Sequence, residues 1–300
     1  MKNLLFTGAT GFVGRNLMPA LKTDYTVKTL GLSAANDFPI NLATAVPDFK
    51  DELIDVVLHA AGKAHSIPVT PEECNAFFNV NFQGTVNLCK GLENGHIPES
   101  FIFISTVLVY GCECGENIDE THALDGNTPY TKSKIEAETY LVNWCNTHKV
   151  NLAIIRLPLI AGAHPPGNLG AMIKGIKNGR YLSIAGGKAR KSMLMVQDIY
   201  RVIPALIKKG GVYNLCDNTH PALSAMEQLL AKQLNKKRPA SIPYGMAKLI
   251  ALAGDLLGSK APVNSAKLKK LTASLTFSNE KAKRELDWEP LDVLKHFNIN

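Results

Sequence analysis

A tyrosine and a lysine four residues apart, in Tyr130-Thr-Lys-Ser-Lys134, lie in a helical context, so both side chains emerge on one face and can meet the same ligand. A free phenol, with a pKa of about 10, is a poor base at neutral pH. A nearby ammonium, or an oxidised nicotinamide, favours its phenolate and makes the pair a tunable acid and base. The same spacing recurs on ordinary helix surfaces, so its meaning depends on what else the chain supplies. One such supply is a hydroxyl at the end of the apolar run Phe101-Ile-Phe-Ile-Ser-Thr-Val-Leu-Val-Tyr-Gly111. Strand ends of this kind border the ligand crevice of doubly wound sheets, and either Thr106 or Ser105 can hydrogen-bond a reacting oxygen there.

The second supply is Thr7-Gly8-Ala9-Thr10-Gly11-Phe12-Val13-Gly14, which follows a strand and opens a helix. In that setting the first glycine permits a tight turn, the second admits a pyrophosphate to the backbone, and the third lets helix and strand pack closely. Gly8, Thr10, Gly11, Phe12, Val13 and Gly14 are therefore the candidate cofactor-binding residues, with NAD or NADP as the cofactor. At the end of the second strand, where a carboxylate usually meets the adenosine ribose, the matching residue in Val27-Lys-Thr-Leu-Gly is Gly31. No arginine replaces the acid, and Lys28 or Ser33 would hold a 2′-phosphate only weakly. NAD is slightly preferred and NADP stays open. The connection after this strand is short, and Asn41-Leu42 either faces the adenine or is an ordinary loop.

These residues need a frame. Short apolar runs at Leu4 to Thr7, Val27 to Leu30, Val56 to His59, Phe101 to Ser105 and Asn151 to Leu157 alternate with helical patterns at Gly14 to Leu21, Glu72 to Glu93 and Tyr130 to His148. The alternation predicts an α/β fold, a doubly wound parallel (Rossmann) sheet with helices on both faces, and a smaller, mainly helical substrate-binding lobe. Residues 1–160, with about 193–215 returning to the sheet as strand Met193 to Val196, a helix and strand Val212 to Leu215, make the dinucleotide-binding domain. Residues 161–192 and 216–300 make the second lobe.

Composition narrows the class. No run of about 18 apolar residues occurs, so no segment suits stable membrane insertion. The most apolar stretch, Ile242 to Gly258, is broken by Pro243, Gly245, Lys248, Gly254 and Asp255 and is expected to pack as a helix, with a membrane-surface helix as the alternative. The amino terminus lacks a secretory signal pattern and the six scattered cysteines suit reduced thiols, so a cytoplasmic setting without a metal site is expected. Residues 1–150 hold 10 basic and 17 acidic side chains, residues 151–300 hold 23 and 9. A basic second half suits an anionic ligand such as a nucleotide diphosphate. Nucleic acid shares that footprint, but no recognition motif accompanies it.

Taken together the chain resembles the extended short-chain dehydrogenase/reductase superfamily, in its nucleotide-sugar epimerase and 4-ketoreductase branch. The resemblance rests on Thr7 to Gly14, His59-Ala-Ala-Gly62, Asn81-Phe-Gln-Gly-Thr85, Ser105-Thr106 with Val109-Tyr-Gly111, Tyr130 with Lys134, Arg156, and Leu286-Asp-Trp-Glu-Pro. It implies that Thr106, Tyr130 and Lys134 are catalytic, with Lys134 also on the nicotinamide ribose. It implies that Ala60, Ala61 and Gly62 line the cofactor, that Asn81 braces the site, that Asn168 and Lys191 fall at positions contacting the nucleotide phosphates, and that the chain forms a homodimer through the helices at 72–93 and 130–148. Family dehydratases carry Asp-Glu after the catalytic threonine; here Val107-Leu108 cannot supply that acid and base.

What this leaves is an NAD(P)-dependent 4-epimerase acting by transient oxidation at C4 of a UDP-sugar, in surface-polysaccharide precursor synthesis, or a nucleotide-sugar 4-ketoreductase using NAD(P)H. His59 to His65 and Arg156 to Gly162 look similar to enzymes of acetamido-sugar nucleotides, and Leu159 departs from the asparagine of several hexose epimerases. A lipid-linked diphosphosugar is a further possibility raised by the 242–257 helix. A reductase of small carbonyl compounds would not need the basic half, and a non-catalytic NAD(P) sensor would not need Thr106, Tyr130 and Lys134 together.

Overall fold

The runs Leu4-Leu5-Phe6, Val56-Val57-Leu58 and Phe101-Ile-Phe-Ile104 carry apolar side chains on both faces, the pattern of strands covered on both sides. In the computed structural model, which describes residues 1–64, 66–256 and 264–299, all three are buried in one parallel sheet. His65 and Leu257-Gly258, named above, lie outside the described residues. In chain order the elements are β1 (Lys2–Thr7), α1 (Phe12–Asp24), β2 (Tyr25–Gly31), β3 (Phe38–Pro39), β4 (Val56–His59), α2 (Pro71–Phe77), α3 (Gly84–Glu93), β5 (Ser100–Thr106), β6 (Gly115–Ile118), α4 (Pro129–His148) and β7 (Asn151–Leu157). The second half adds β8 (Leu159–Ala161), α5 (Gly167–Lys177), β9 (Ser183–Ile184), β10 (Met193–Met195), α6 (Val196–Lys209), β11 (Gly211–Asn214), α7 (Leu223–Gln233), β12 (Ser241–Ile242), α8 (Tyr244–Asp255), α9 (Ser265–Thr272), β13 (Leu275–Phe277), α10 (Glu280–Leu286) and α11 (Val293–His296).

The main sheet runs β3-β2-β1-β4-β5-β7-β11, every pair parallel. Strand order reverses between β1 and β4, and a crevice opens at such a switch point beyond the carboxyl ends. One face is covered by α1 and α6 through Leu17, Leu21, Ile199 and Ile203. The other is covered by α3 and α4 through Leu88, Leu92, Leu141 and Trp144. Beyond β7 a separate apolar cluster joins Leu169, Met193, Met226, Leu230 and Val293 from α5, β10, α7 and α11.

Three expectations change. Residues 72–93 are not one α-helix: a π-helical turn at Phe78–Gln83 separates α2 from α3, with the Gly84 amide donating to the Asn79 carbonyl. The strand at Met193 does not return to the main sheet; β10 pairs with β8 instead, while β11 does join β7. Ala282, Leu286 and Trp288, expected in the second lobe, pack into the cluster beneath α1 and α6, because α10 lies against α6 and β11.

The apolar helix also differs from its expected packing. α8 buries its small residues, Ala247, Ala251 and Gly254, and exposes its large ones, Leu249 at 69% and Leu252 at 51%. Among the described residues no helix is long and apolar enough to cross a membrane.

Candidate active site

Gly8 follows β1 with φ +80°, a left-handed conformation that side chains resist, and a Cβ there would stand 2.8 Å from the Ala61 amide nitrogen. At Gly14 a Cβ would meet the Ala9 carbonyl at 2.3 Å, so only glycine lets α1 sit this close to the turn. Gly11 has an ordinary φ of −74° and caps α1 with no side-chain hydrogen bond. The first amides of α1 are thus left without a side-chain partner, next to exposed Thr10 and Gly11 and half-buried Phe12 and Val13. This is a cradle suited to a pyrophosphate.

Behind the cradle, Thr7 at the end of β1 is tied to His59 at the end of β4. The Ala61 amide donates to Thr7 Oγ1 at 3.1 Å, and Thr7 Oγ1 meets His59 Nδ1 at 2.6 Å. His59 Nε2 meets Thr85 Oγ1 at 2.9 Å, which donates to the Asn81 carbonyl at 2.7 Å. The donor order closes for a neutral ring protonated on Nε2. Burial, and secondarily the charge of Lys134, hold the His59 pKa down at about 3. A neutral imidazole therefore links the Ala60-Ala61-Gly62 strand end to the helix carrying Asn81.

α4 starts abruptly because Thr128 and Thr131 form a reciprocal capping box and Pro129 occupies the first turn. Tyr130 consequently lies in the first turn with Lys134 one turn on. Tyr130 is half-buried, its ring 6.1 Å from that of Phe77. Burial raises its pKa, and a hydrogen bond with the Thr106 side chain partly offsets the rise. Lys134 is buried; its Nζ donates to the Ile104 carbonyl at 2.8 Å and lies 4.4 Å from the Phe103 ring centre. Burial lowers its pKa to about 8, against the opposing pull of Glu138. The phenol is thus governed here by burial and Thr106. The lysine charge expected to tune it is engaged by Ile104 and Phe103. A Cβ on Gly62 would stand 3.5 Å from Lys134 Nζ, so the strand end and the lysine adjoin.

Of the two hydroxyls at the end of β5, Thr106 meets Tyr130, and Ser105 turns away to bond the Glu138 carboxylate. Asn81, carried on the π-helical turn, donates to Ser133 Oγ at 2.9 Å and to the Lys63 carbonyl at 3.1 Å, and accepts from the Lys63 amide at 2.7 Å. The wider turn aims an otherwise helical side chain at the residue beside Lys134.

Behind the site, Glu138 and Asn214 were missed by sequence reasoning, as were the contacts they make with Arg156 and Tyr110. Arg156 pairs with Glu138 at 2.7 Å and donates to the Tyr110 hydroxyl at 3.0 Å; Tyr110 donates to Asn214 Oδ1 at 2.8 Å. Glu138 lies two helical turns from Tyr130, a spacing that signals a shared face, but its partners Arg156 and Ser105 come from β7 and β5.

The other expected residues are dispersed. Leu42 is buried in the core beside Gly84, its carbonyl accepting from Asn87 at 2.8 Å, whereas Asn41 is exposed and its side chain caps the Ala43 amide. Beside Gly31 stands Asn36, whose Nδ2 would be 3.1 Å from a Cβ there. Asp37 folds back onto Thr29, accepting from its amide at 2.7 Å and its hydroxyl at 2.8 Å. An acid was sought at the strand end itself; the short loop returns one instead. Asn168 is exposed in the first turn of α5. Lys191 Nζ donates to the Lys270 and Ala273 carbonyls at 3.1 and 2.9 Å, which differs from the phosphate contact expected of it. Val107 is buried with Tyr110, Ile118 and Phe277, and neither it nor Leu108 offers a proton.

Similarity to known proteins follows the same lines. The sequence profile of the NAD dependent epimerase/dehydratase family matches residues 4–216. The N-acetyl-alpha-D-glucosaminyl-diphospho-ditrans,octacis-undecaprenol 4-epimerase of Escherichia coli O157:H7 is 31% identical, over 93% of this chain and 88% of its own. The UDP-glucose 4-epimerase of Vibrio cholerae is 29% identical, over 98% and 92%. Among solved structures, RMD from Pseudomonas aeruginosa complexed with NADPH superposes with a TM-score of 0.76 at 21% identity, covering 98% of this chain and 94% of that one. The UDP-glucose 4-epimerase of Thermotoga maritima with UDP-glucose gives 0.74 at 19%, covering 98% and 95%. The matched profile runs from β1 to just past β11 and so contains the glycine turn, the β5 hydroxyl and the α4 pair. The protein is an enzyme, and the chain belongs to the NAD dependent epimerase/dehydratase family.

Proposed function

We propose that the enzyme is a sugar 4-epimerase that acts, by transient oxidation at C4, on a diphosphate-linked sugar in surface-polysaccharide precursor synthesis, with a UDP-sugar as the first candidate and the cytoplasm as its setting. The observation that carries this reading is the meeting of Tyr130 with Thr106 one helical turn from buried Lys134, at the carboxyl edge of the sheet and beside the glycine cradle. The 4-epimerase names of the relatives from Escherichia coli and Vibrio cholerae support it.

In this reading Gly8 and Thr10 to Gly14 would hold the cofactor pyrophosphate, Ala60 to Gly62 would line its path, and Lys134, now bonded to the Ile104 carbonyl, would hold the nicotinamide ribose. The nicotinamide, when bound, supplies the acceptor and donor of hydride. Tyr130 Oη takes the proton of the sugar C4 hydroxyl and later returns it, so its neutral and ionised forms must lie close in energy. Thr106 Oγ1 holds the same oxygen in line. NAD is favoured over NADP because Asp37, whose hydrogen bonds from Thr29 keep its carboxylate ionised, places a negative charge near the end of β2, where a 2′-phosphate would be repelled. The half-buried rings of Phe82 and Tyr140, 6.3 Å apart, lie on the helices through which two subunits would pair.

The test is a panel of UDP-, GDP- and dTDP-sugars and polyprenyl-diphosphate sugars, with and without added NAD(P)H, following sugar identity and nicotinamide absorbance together. Inversion at C4 without net cofactor turnover is expected. Stoichiometric NAD(P)H consumption would assign a 4-ketoreductase instead.

A further inference from the structure

α8 reverses the usual logic of a surface helix, which buries its large apolar side chains. Its inner side is Ala247, Ala251 and Gly254, laid on a small cluster of Leu268, Ile184 and Ile242. Met246, Leu249, Leu252 and Leu256 face out, at 58%, 69%, 51% and 91% exposure. Positions 249, 252 and 256 recur at helical spacing, so the leucines form one ridge directed away from the buried alanines. Contiguous exposed apolar surface of this kind marks an interaction site.

Charge identifies the partner. From residue 232 to 272 the chain holds nine basic side chains and one acidic one, Asp255. That acid is itself engaged by the Ser265 amide and hydroxyl. Lys248 lies on α8 itself, and Lys269 and Lys270 project from the neighbouring α9, 65% and 61% exposed while reaching toward Glu113. Two copies meeting through this face would bring like charges together, whereas an anionic lipid surface offers opposite charge and an apolar interior at once. A 12-residue helix is about 18 Å long, too short to span a bilayer but suited to lie in its interface.

We propose that the outward face of α8, flanked by the lysines of α9, docks the enzyme on an anionic lipid bilayer. The proposal is independent of the reaction assigned above, since none of these residues belongs to the candidate active site.

The test is flotation of the full-length protein with vesicles of phosphatidylcholine alone, or with about a third phosphatidylglycerol, at low and high salt. Preference for the anionic vesicles by at least about 10-fold is expected, falling as salt rises. Leu249→Gln with Leu252→Gln should lower partitioning by at least about 10-fold. Lys269→Gln with Lys270→Gln should remove much of the lipid preference. Both variants should keep the wild-type circular dichroism, and the leucine variant should keep wild-type turnover of a soluble sugar diphosphate. Wild-type protein that stays off anionic vesicles, or a leucine variant that floats like wild type, would overturn the proposal. So would self-association without lipid that the leucine variant abolishes, because the face would then be a contact between copies. An inactive wild-type protein that still floats would remove the epimerase reading and leave the docking surface standing.

Discussion

α4 and α8 are both helices on the surface of the molecule, and they are finished in opposite ways. α4 has 20 residues, a reciprocal cap at its start, and an inner side that carries Lys134, Glu138, Leu141 and Trp144 into the protein. Each polar member of that inner side has a partner from another element: Ile104 for Lys134, Arg156 and Ser105 for Glu138, Glu93 for Trp144. α8 has 12 residues, no side-chain cap, and an inner side made of two alanines and a glycine. The inner side of the first helix is satisfied by partners from its own chain, which fix its position. The second leaves its large side chains exposed. Position is bought in α4 with a dense polar interior, which makes it vulnerable to single substitutions that α8 would tolerate.

The largest break in that comparison should come from Glu138→Ala. Both Glu138 and Arg156 are buried, at 4% and 7% side-chain exposure. Removing the carboxylate leaves a guanidinium without its ion partner in the interior, a change that costs about 3–5 kcal/mol. Denaturant unfolding would show it, and a loss below about 1 kcal/mol would mean that the polar interior does not anchor α4. Next is Tyr130→Phe, which removes the hydroxyl proposed to carry the proton and leaves the ring on Phe77. Turnover should fall at least about 100-fold with an unchanged fold and cofactor affinity. Near-normal activity would take Tyr130 out of the mechanism.

A third break uses acid. His59 keeps a pKa of about 3 in the folded chain, against 6.5 ordinarily. Between those values the unfolded chain binds a proton that the folded chain refuses, so stability present above pH 6.5 is lost as pH falls toward 3. The slope from this one group approaches about 1.4 kcal/mol per pH unit. His59→Gln keeps a polar side chain between Thr7 and Thr85 and should flatten the acid limb of unfolding free energy against pH. Identical acid limbs in the two proteins would assign the sensitivity elsewhere.

The parts of this arrangement that were legible in the sequence are those with a local cause. The strands at Val56–His59 and Asn151–Leu157 and the helix ending at His148 follow from short-range pattern, and so does the strand-turn-helix placement of Gly8 to Gly14. What escaped was set by distant partners. The π-helical turn that aims Asn81 is a one-residue widening with no composition signature. The pairing of β10 with β8 depends on where two remote segments meet. Arg156 and Tyr110 were noticed as motif residues, but neither their contact nor the Glu138 partner was, because each pair is 18 or more residues apart along the chain. Asp37 was overlooked because an acid was sought at the end of β2, not eight residues beyond Thr29. For α8, an apolar pattern showed that the stretch was a helix; it could not show which side turned inward.

The smallest expected effect is the sharpest test of the contrast. Leu249 is 69% exposed on the ridge of α8, so replacing it by glutamine removes little apolar contact from the folded chain. Substitutions at surface positions without such contacts change stability by no more than about 0.5 kcal/mol. Leucine and glutamine have similar helix propensity, so the backbone of α8 has no separate reason to respond. The unfolding midpoint of Leu249→Gln should therefore match wild type, measured beside Glu138→Ala under the same conditions. A loss comparable to that of Glu138→Ala would mean that the ridge is covered by the protein itself in solution. The outer side of α8 would then be satisfied by its own chain, as the inner side of α4 is, and the two helices would no longer differ in kind.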